Sequence, residues 1–247
     1  MGTHSGRVAV VTGAASGFGR AIAVELARRG ADIVAVDLHD AQETASDVEA
    51  QQRKVICVTA DVSNPDAVAA TADSMTALSA NADILVNCAG VFPFQDFFEL
   101  TFEQWKRTQA INLDSQFLMA KLVAQGMREA GWGRIVNFAS NSLGLAVPGL
   151  THYMASKGGV IGFTRALATD LAPFGITVNA ICPTASRTPG GQSNIGDDML
   201  EMVANMQAIK HVGTAADILG TVAFLTSDDC GFLTGQTIVA DGGLMRV

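Results

Sequence analysis

Residues 7–19 read Arg7-Val-Ala-Val-Val-Thr-Gly-Ala-Ala-Ser-Gly-Phe-Gly19 and give the clearest fold signal in the chain. The apolar run predicts a buried strand, and apolar residues at helical spacing from about Gly17 predict a helix directly after it. Three glycines lie in the turn between these elements. Such a turn lets a phosphate group approach the backbone, and the helix N-terminus offers it free N–H groups. The stretch therefore predicts a dinucleotide-binding unit.

The same alternation of strand and helix continues to the end of the chain. Six further apolar runs predict strands at 32–37, 55–59, 84–87, 135–139, 176–181 and 237–240. Helices are predicted between them, the longest over about 101–130. Apolar strands separated by helices are typical of a parallel sheet covered on both faces. We therefore expect an α/β protein over 1–247, a single domain with a Rossmann-type doubly wound parallel sheet of about seven strands, and ligands at its C-terminal strand ends.

Composition limits the classes of function. The 247 residues carry a net charge of −8, and no run of Lys or Arg is longer than a pair. Binding to nucleic acid or to an anionic membrane requires a basic patch, so both are disfavoured. The four cysteines lie far apart, which predicts no metal site and no disulfide framework. No apolar signal core opens the chain, so we expect a cytoplasmic protein. The charged fraction of 16% raises the expectation of an oligomer.

Asp37 ends the second predicted strand, 18 residues after Gly19. A carboxylate at this position can accept hydrogen bonds from both hydroxyls of an adenosine ribose, and it repels a 2′-phosphate. We expect no arginine or lysine to hold that phosphate, either from the loop after Asp37 or from beside the glycines. The pattern favours NAD over NADP.

Tyr153 is the only tyrosine of the chain, and Lys157 follows it four residues later. On a helix this spacing places both side chains on one face. The pKa of a free tyrosine is about 10, and a neighbouring ammonium favours the phenolate and lowers it. We therefore expect Lys157 to make Tyr153 a general acid/base. Ser140, 13 residues earlier, could hydrogen-bond the substrate oxygen. A Tyr-x-x-x-Lys pair alone is a weak signal, because most such pairs are surface residues.

Taken together, the motifs resemble those of a known family. The chain is similar to the short-chain dehydrogenase/reductase family over nearly its whole length, on the glycine turn, Asp61-Val62, Asn87-Cys-Ala-Gly90, Asn112, Ser140, Tyr153-Met-Ala-Ser-Lys157, Val178-Asn-Ala-Ile-Cys-Pro183 and Thr234-Gly-Gln…Asp241-Gly-Gly243. The resemblance implies an oxidoreductase that works as a homotetramer. No internal repeat or linker interrupts the pattern.

The resemblance also implies the roles of the catalytic residues. Ser140 would orient the substrate oxygen, and Tyr153 would exchange a proton with it. Lys157 would bind the nicotinamide ribose and lower the pKa of Tyr153. Asn112 would hold a water that connects Lys157 to solvent. Ser142 is a rival for the role of Ser140, and the spacing to Tyr153 favours Ser140.

The cofactor contacts are implied by the same resemblance. They are Gly13, Ser16, Gly17, Phe18, Gly19, Asp37, Leu38, Asp61, Val62, Asn87, Ala89, Gly90, Tyr153, Lys157, Pro183, Thr184 and Thr188. Two of these residues depart from the common family pattern. Phe18 stands where a smaller aliphatic residue is usual, and Thr184 replaces a glycine. We expect Thr184 to narrow the loop beside the nicotinamide.

The substrate pocket is expected in the segments after the fourth, fifth and sixth strands. Its candidate lining is Ser140, Ser142, Phe92, Phe94, Leu145 and Ala185. A lid is expected over about 188–210, with a hinge at Gly190-Gly191 and a methionine stripe at 199, 202 and 206 that is either core or ligand-facing. No Arg or Lys lies between 189 and 207. Short stretches are also similar to family members that oxidise ring-bearing alcohols with NAD, so an apolar or ring-bearing secondary alcohol or ketone is favoured.

Three functions remain in competition. The first is an NAD-dependent dehydrogenase of a secondary alcohol. The second is a 3-oxoacyl thioester reductase, which would usually require NADPH and a basic surface for an acidic carrier. The third is a dinucleotide-binding protein without catalysis. His152, next to Tyr153, could touch substrate, but it could equally face solvent or a neighbouring subunit.

Overall fold

The computed structural model describes residues 2–78, 81–188 and 196–246. The strands are β1 (Val8–Thr12), β2 (Asp32–Asp37), β3 (Val55–Thr59), β4 (Ile84–Asn87), β5 (Gly133–Phe138), β6 (Ile176–Pro183), β7 (Ser186–Arg187), β8 (Gly213–Thr214) and β9 (Thr237–Ala240). The helices are α1 (Gly17–Arg28), α2 (Gln42–Ala50), α3 (Pro65–Met75), α4 (Phe102–Gln109), α5 (Ser115–Ala130), α6 (Thr151–Leu171), α7 (Asp197–Met206) and α8 (Ala216–Leu225).

Seven strands form one parallel sheet in the order β3-β2-β1-β4-β5-β6-β9. The predicted doubly wound sheet is thereby confirmed. The chain runs outward from β1 through β2 to β3 and then returns to the other side of β1 to form β4. A crevice opens at the C-terminal ends of β1 and β4, where the strand order reverses, and ligands bind at such crevices in this kind of sheet.

Each face of the sheet packs against three helices. Ala9 and Val11 point to the face covered by α1, α2 and α8. Val8 and Val10 point to the face covered by α3, α5 and α6. This alternation follows from the two-residue period of a strand, and because both faces are buried, the central strands are apolar at nearly every position. Among the described residues, no helix is both long enough and apolar enough to cross a membrane.

Two segments differ in detail from the sequence-based expectation. The helix predicted over about 101–130 has that extent, but a π-helical turn at Ala110–Asp114 divides it into α4 and α5. The segment after Pro183, where no strand was predicted, contains β7, which pairs with β8 in a separate two-stranded sheet. Neither feature has a local sequence signature, because a π turn and a two-residue strand both depend on partners elsewhere in the fold.

Candidate active site

A cavity of about 450 Å³ opens at the C-terminal ends of the central strands. It is bounded by the segments that follow β4, β5 and β6, by the start of α6 and by α7. Its lining is Phe18, Cys88, Gly90, Val91, Phe92, Phe94, Phe138, Ala139, Ser140, Asn141, Ser142, Leu145, Val147, Leu150, Tyr153, Lys157, Pro183, Thr184, Ala185, Ser186, Thr188, Met199 and Val203. Among these described residues, Lys157 alone carries a charge.

The glycine turn packs directly against the segment after β4. Gly13 has a φ of +70°, and a Cβ added to it would lie 3.0 Å from the backbone of Ala89. A Cβ on Gly19 would lie 2.0 Å from the carbonyl oxygen of Gly13. Helix α1 begins at Gly17, and Ser16 makes no side-chain cap to it. The first N–H groups of α1 are therefore available to an anion at the end of β1.

Asp37 lies beside this turn and holds it. One carboxylate oxygen accepts the backbone N–H of Ala15 and the other that of His39, both at 2.9 Å. Leu38, the other predicted contact at this strand end, is exposed. Asp37 thus places a negative charge at the end of β2, next to the N-terminus of α1.

The expectation that no cation stands beside the glycines was wrong, because Arg20 directly follows Gly19. Arg20 donates to Asp47 at 2.8 and 3.1 Å and also pairs with Glu43, both on α2. The guanidinium is thereby drawn toward α2 and engaged by two carboxylates. This ion pair joins residues of two separate helices, so the linear sequence gave no sign of it.

The end of β4 is organised by residues from neighbouring strands. Thr12 Oγ1 accepts the backbone N–H groups of Cys88 and Ala89, both at 3.0 Å. Asn87 is buried, and its amide donates to Asn137 Oδ1 at 2.9 Å. The Asn87 side chain therefore links β4 to β5 rather than lining the cavity. Thr12 was not among the predicted site residues, although its position at the end of β1 could have suggested it.

Asp61 and Val62 follow β3, next to the end of β2. Asp61 accepts hydrogen bonds from the hydroxyl and the backbone N–H of Ser63, and these bonds hold the pKa of the Asp61 carboxyl below its usual range. Val62 is buried in the core between the sheet and α3. The predicted adenine-side residues thus share one edge of the sheet with Asp37.

Ser140, Tyr153 and Lys157 meet on the wall of the cavity. Tyr153 and Lys157 lie one turn apart on α6 and are both buried, with the Lys157 ammonium 5.8 Å from the centre of the tyrosine ring. Ser140 follows β5 by two residues. Burial raises the pKa of Tyr153 to about 12, and a hydrogen bond from Ser140 opposes that rise.

The expected lowering of the Tyr153 pKa by Lys157 is absent from this structure. The ammonium of Lys157 donates to the carbonyl oxygen of Phe138 at 2.7 Å. Burial lowers the pKa of Lys157 to about 8. The pKa of Tyr153 is therefore set mainly by removal of the phenol from water, while the ammonium is turned toward the backbone.

Asn112 lies in the π-helical turn, where its side chain makes three hydrogen bonds to protein groups. Its side chain pairs with both backbone groups of Val91, at 2.8 and 3.0 Å, and donates to Ser156 at 3.1 Å. The backbone carbonyl oxygen of Asn112 accepts a hydrogen bond from Gln116 Nε2 at 3.0 Å. Gln116 was missed by the sequence reasoning. It is buried, and its Oε1 has no hydrogen-bond partner among the described residues.

The predicted substrate residues Phe92, Phe94, Ser142, Leu145 and Ala185 all line the cavity. The ring of Phe92 stands edge-on to Tyr153, with 4.6 Å between centroids and an interplanar angle of 87°. Phe92 meets Phe94 in the same manner at 5.0 Å and 85°. These rings form an aromatic row that ends at the phenol. The sequence did not single out Val147, Leu150 or Val203, which complete the apolar lining.

The loop after β6 is tied to the end of α7. Thr184 Oγ1 donates to Gln207 Oε1 at 3.0 Å, and Gln207 Nε2 donates to the carbonyl oxygens of Ile209 and His211. Pro183 and Thr188 line the cavity nearby. Gln207 was not predicted, because it is remote from Thr184 in the sequence. The hydroxyl of Thr184 thus gives this loop an anchor that glycine lacks.

The methionine stripe on α7 is exposed at all three positions, and Met199 alone of the three lines the cavity. The predicted hinge at 190–191 lies outside the described residues. His152 is 1% exposed and is not part of the cavity lining, so the expectation that it faces solvent does not hold within this chain. Its Nδ1 has no hydrogen-bond partner among the described residues.

Comparison with known proteins agrees with this geometry. A family model described as enoyl-(acyl carrier protein) reductase matches residues 13–245. A short-chain dehydrogenase/reductase of Hericium erinaceus is 37% identical over 254 residues, covering 97% of this chain and 98% of that protein. The NAD-dependent glycerol dehydrogenase of Listeria innocua is 33% identical over 243 residues, covering 96% and 93%. The crystal structure of carveol dehydrogenase from Mycobacterium avium in complex with NAD has a TM-score of 0.91 at 31% identity and covers 99% of each chain. The chain belongs to the short-chain dehydrogenase/reductase family of oxidoreductases.

Proposed function

We propose that this protein is an NAD(H)-dependent oxidoreductase that interconverts a secondary alcohol and a ketone. The observation that carries the proposal is the convergence of Ser140, Tyr153 and Lys157 on one wall of an apolar cavity that adjoins the glycine turn. A hydroxyl, a phenol and an ammonium at this place can bind a substrate oxygen and move its proton.

The residues at the strand ends fit a dinucleotide. The uncapped start of α1 suits the pyrophosphate, and Asp37 suits the adenosine ribose. Gly90 suits the nicotinamide side because it has no side chain to fill the space beside Lys157. A Cβ at this position would lie 3.7 Å from the Lys157 ammonium. NAD, when bound, would accept or return the hydride of the substrate carbon. The charge of Asp37 and the engagement of Arg20 with α2 both favour NAD over NADP.

The proton chemistry belongs to the chain. With a pKa of about 12, Tyr153 is protonated at neutral pH and can donate to the oxygen of a ketone that is being reduced. The single hydroxyl proton of Ser140 can be donated to that oxygen or to the phenolate that remains. Burial lowers the pKa of Lys157 to about 8, so its ammonium is mostly charged at neutral pH and can bind the nicotinamide ribose. Alcohol oxidation requires the phenolate at the start and is therefore favoured at alkaline pH.

An apolar or ring-bearing substrate fits the lining of the cavity. Phe92, Phe94 and Leu145 offer hydrocarbon surface beside the phenol. We propose that residues 188–210 act as its lid, with Met199 and Val203 of α7 facing the substrate. Carveol is a cyclic secondary alcohol and glycerol an open-chain triol, so the named relatives span both kinds of substrate. The lining of the cavity favours the former.

The direct test replaces Tyr153 with phenylalanine. Turnover of a panel of cyclic and open-chain secondary alcohols, followed by NADH absorbance, should fall at least a thousandfold, within the range of about 10²–10⁴ for general acid–base catalysis. Binding of NADH, followed by its fluorescence, should remain within about twofold because the dinucleotide contacts lie mostly elsewhere. Substantial turnover by the variant would rule out the proposed proton donor.

The rival 3-oxoacyl reductase is tested in the same assay. Acetoacetyl-CoA with NADPH should be a poor pair, because the described lining offers no arginine for a phosphate or carrier and Asp37 disfavours the 2′-phosphate. A turnover number for that pair above those of all alcohols would replace our proposal. Complete inactivity of the unmodified protein toward both classes would support the non-catalytic alternative.

We also propose that the chain assembles into a homotetramer. Large apolar side chains are exposed on the described surface, among them Phe97, Phe98, Phe102, Phe117 and Phe232. Exposed apolar area of this kind is typical of surfaces that self-associate. Light scattering after size-exclusion chromatography should give four times the chain mass, and a monomer at micromolar concentration would contradict the proposal.

A further inference from the structure

Two serines share the short turn that follows β5. Ser140 caps a single 3₁₀ turn, Asn141–Gly144, and its hydroxyl accepts the backbone N–H of Ser142 at 3.2 Å. The two hydroxyl oxygens lie 2.9 Å apart. Both serines are buried and both line the cavity. The turn thus presents two hydroxyl groups, of which one meets the phenol of Tyr153.

The direction of the Ser140–Ser142 hydrogen bond follows from counting protons. A serine hydroxyl has one proton to donate and two lone pairs that accept. Ser142 N–H occupies one lone pair of Ser140. If the Ser142 hydroxyl donates as well, both lone pairs are filled, and the Ser140 proton is left for the phenol oxygen. If the bond runs the other way, the Ser140 proton is used on Ser142 and is lost to Tyr153.

The surroundings favour donation by Ser142. Within the described part of the chain, Ser140 is the hydrogen-bond partner found for the Ser142 hydroxyl. The Ser142 proton is therefore expected to be donated to Ser140. A phenolate also binds a hydroxyl proton more strongly than a neutral serine does, because hydrogen bonds to charged acceptors are stronger. The Ser140 proton is therefore drawn toward Tyr153, and that of Ser142 toward Ser140.

We propose that Ser142 is a positioning residue whose hydroxyl donates to Ser140 and thereby leaves the Ser140 proton for the phenol oxygen of Tyr153 or, when substrate is bound, for the substrate oxygen. The inference rests on the proposed function for its catalytic consequence, and it assigns Ser142 a role different from that of a substrate contact. A contact would affect substrate affinity. A positioning hydroxyl acts through Ser140 on the reacting oxygens and affects every substrate alike.

The kinetic test compares Ser142→Ala with Ser142→Thr, which keeps a hydroxyl at the same atom position. Ser142→Ala should lower kcat about tenfold for every substrate, the worth of about one hydrogen bond, with KM within about twofold. Ser142→Thr should restore most of kcat. A rise in KM that differs between substrates, with kcat unchanged, would make Ser142 a substrate contact and overturn the proposal.

A double-mutant cycle tests whether Ser142 acts through Ser140. In a chain that already carries Ser140→Ala, the further change Ser142→Ala should alter kcat by less than about twofold, because the hydroxyl it orients is gone. An equal tenfold loss in both backgrounds would show that Ser142 acts independently of Ser140, against the proposal.

The last readout does not need turnover. Tyr153 is the only tyrosine, so phenolate absorbance after a rapid jump to alkaline pH reports on this residue alone. Ser142→Ala should decrease the ionised fraction, Ser140→Ala should decrease it at least as much, and the double variant should match Ser140→Ala. The other titratable groups near the phenol, Lys157 and Cys182, are unchanged. This pattern in a protein that turns over no alcohol would uphold the positioning role and refute only the proposed reaction. Equal ionisation in all variants would overturn the inference.

Discussion

Asp37 offers the sharpest test of the cofactor assignment. Its carboxylate accepts two backbone N–H groups at 2.9 Å and stands at the end of β2, beside the start of α1. Replacing Asp37 with alanine removes a ligand for the ribose hydroxyls and a charge that repels a 2′-phosphate. The variant should therefore bind NADH more weakly and NADPH more tightly.

The size of each effect can be estimated from the geometry. A hydrogen bond to a charged group contributes about 1.5–3 kcal/mol, and the partial exposure of Asp37 favours the lower value, so NADH binding should weaken about tenfold. Two like charges about 4 Å apart in water repel by about 1 kcal/mol, so removing one should improve NADPH binding about fivefold. The ratio of the two dissociation constants should then change by about 50-fold.

Thr44 provides the matched control. Its buried hydroxyl donates to the carbonyl oxygen of Ala14 at 2.6 Å, within the same glycine turn, and it carries no charge. Thr44→Val should weaken NADH and NADPH by similar factors, because it disturbs the turn without touching either ribose substituent. Dissociation constants for both cofactors come from quenching of tryptophan fluorescence.

The assignment fails on either of two results. In the first, the ratio of the NADH and NADPH dissociation constants of Asp37→Ala stays within about twofold of the ratio for the unmodified protein. Any loss of affinity in the variant would then be an effect on the loop, like that of Thr44→Val. In the second, the unmodified protein already binds NADPH more tightly than NADH.

Three further predictions concern stability and the surroundings of the site. Burial lowers the pKa of His4 and His152, whereas the pKa of histidine in an unfolded chain is about 6.5. The melting temperature should therefore fall as pH drops below about 6.5, and it should fall less steeply in His4→Gln. Equal slopes of melting temperature against pH in the two proteins would contradict this. Gly90→Ala places a Cβ 3.1 Å from Asn112 Oδ1. It should lower the free energy of unfolding in urea by about 1–3 kcal/mol, and an unchanged midpoint would show that the segment relaxes freely. Gln116→Met should change the free energy of unfolding by less than about 1 kcal/mol, because it removes an unpaired buried oxygen together with the donor to the backbone of Asn112. A loss above about 2 kcal/mol would mean that Gln116 Oε1 has a partner, such as a buried water.

Much of the fold could be predicted because its signals are local. The run from Arg7 to Gly19 combines an apolar strand, a turn that only glycines permit and a helix start, all within one stretch of chain. The start of α3 is local in the same way, because Asn64 caps that helix by accepting from the N–H groups of Asp66 and Ala67. Seven apolar runs gave the seven strands of the sheet because burial on both faces leaves a composition visible in a single sequence.

The sequence predicted which residues would lie together at the candidate site, but not how burial and hydrogen bonding would set their pKa values. Spacing placed Tyr153 and Lys157 on one helix face, and the family resemblance joined Ser140 to them. Whether Lys157 lowers the pKa of Tyr153 could not be read from that spacing. The answer depends on how far the phenol is removed from water and on the carbonyl of Phe138, which takes the ammonium at 2.7 Å.

The amino-acid sequence alone predicted the doubly wound sheet, the glycine turn with Asp37 at the next strand end and, through the family resemblance, the residues proposed to move a proton. Each of these depends on neighbours along the chain. The tertiary structure supplied the contacts between distant segments, such as Arg20 with α2 and Thr184 with Gln207. It also supplied the burial that sets each pKa and the row of aromatic rings beside Tyr153. Hydrogen bonding and desolvation act through space, so groups far apart in sequence acquire their chemistry only when folding brings them together.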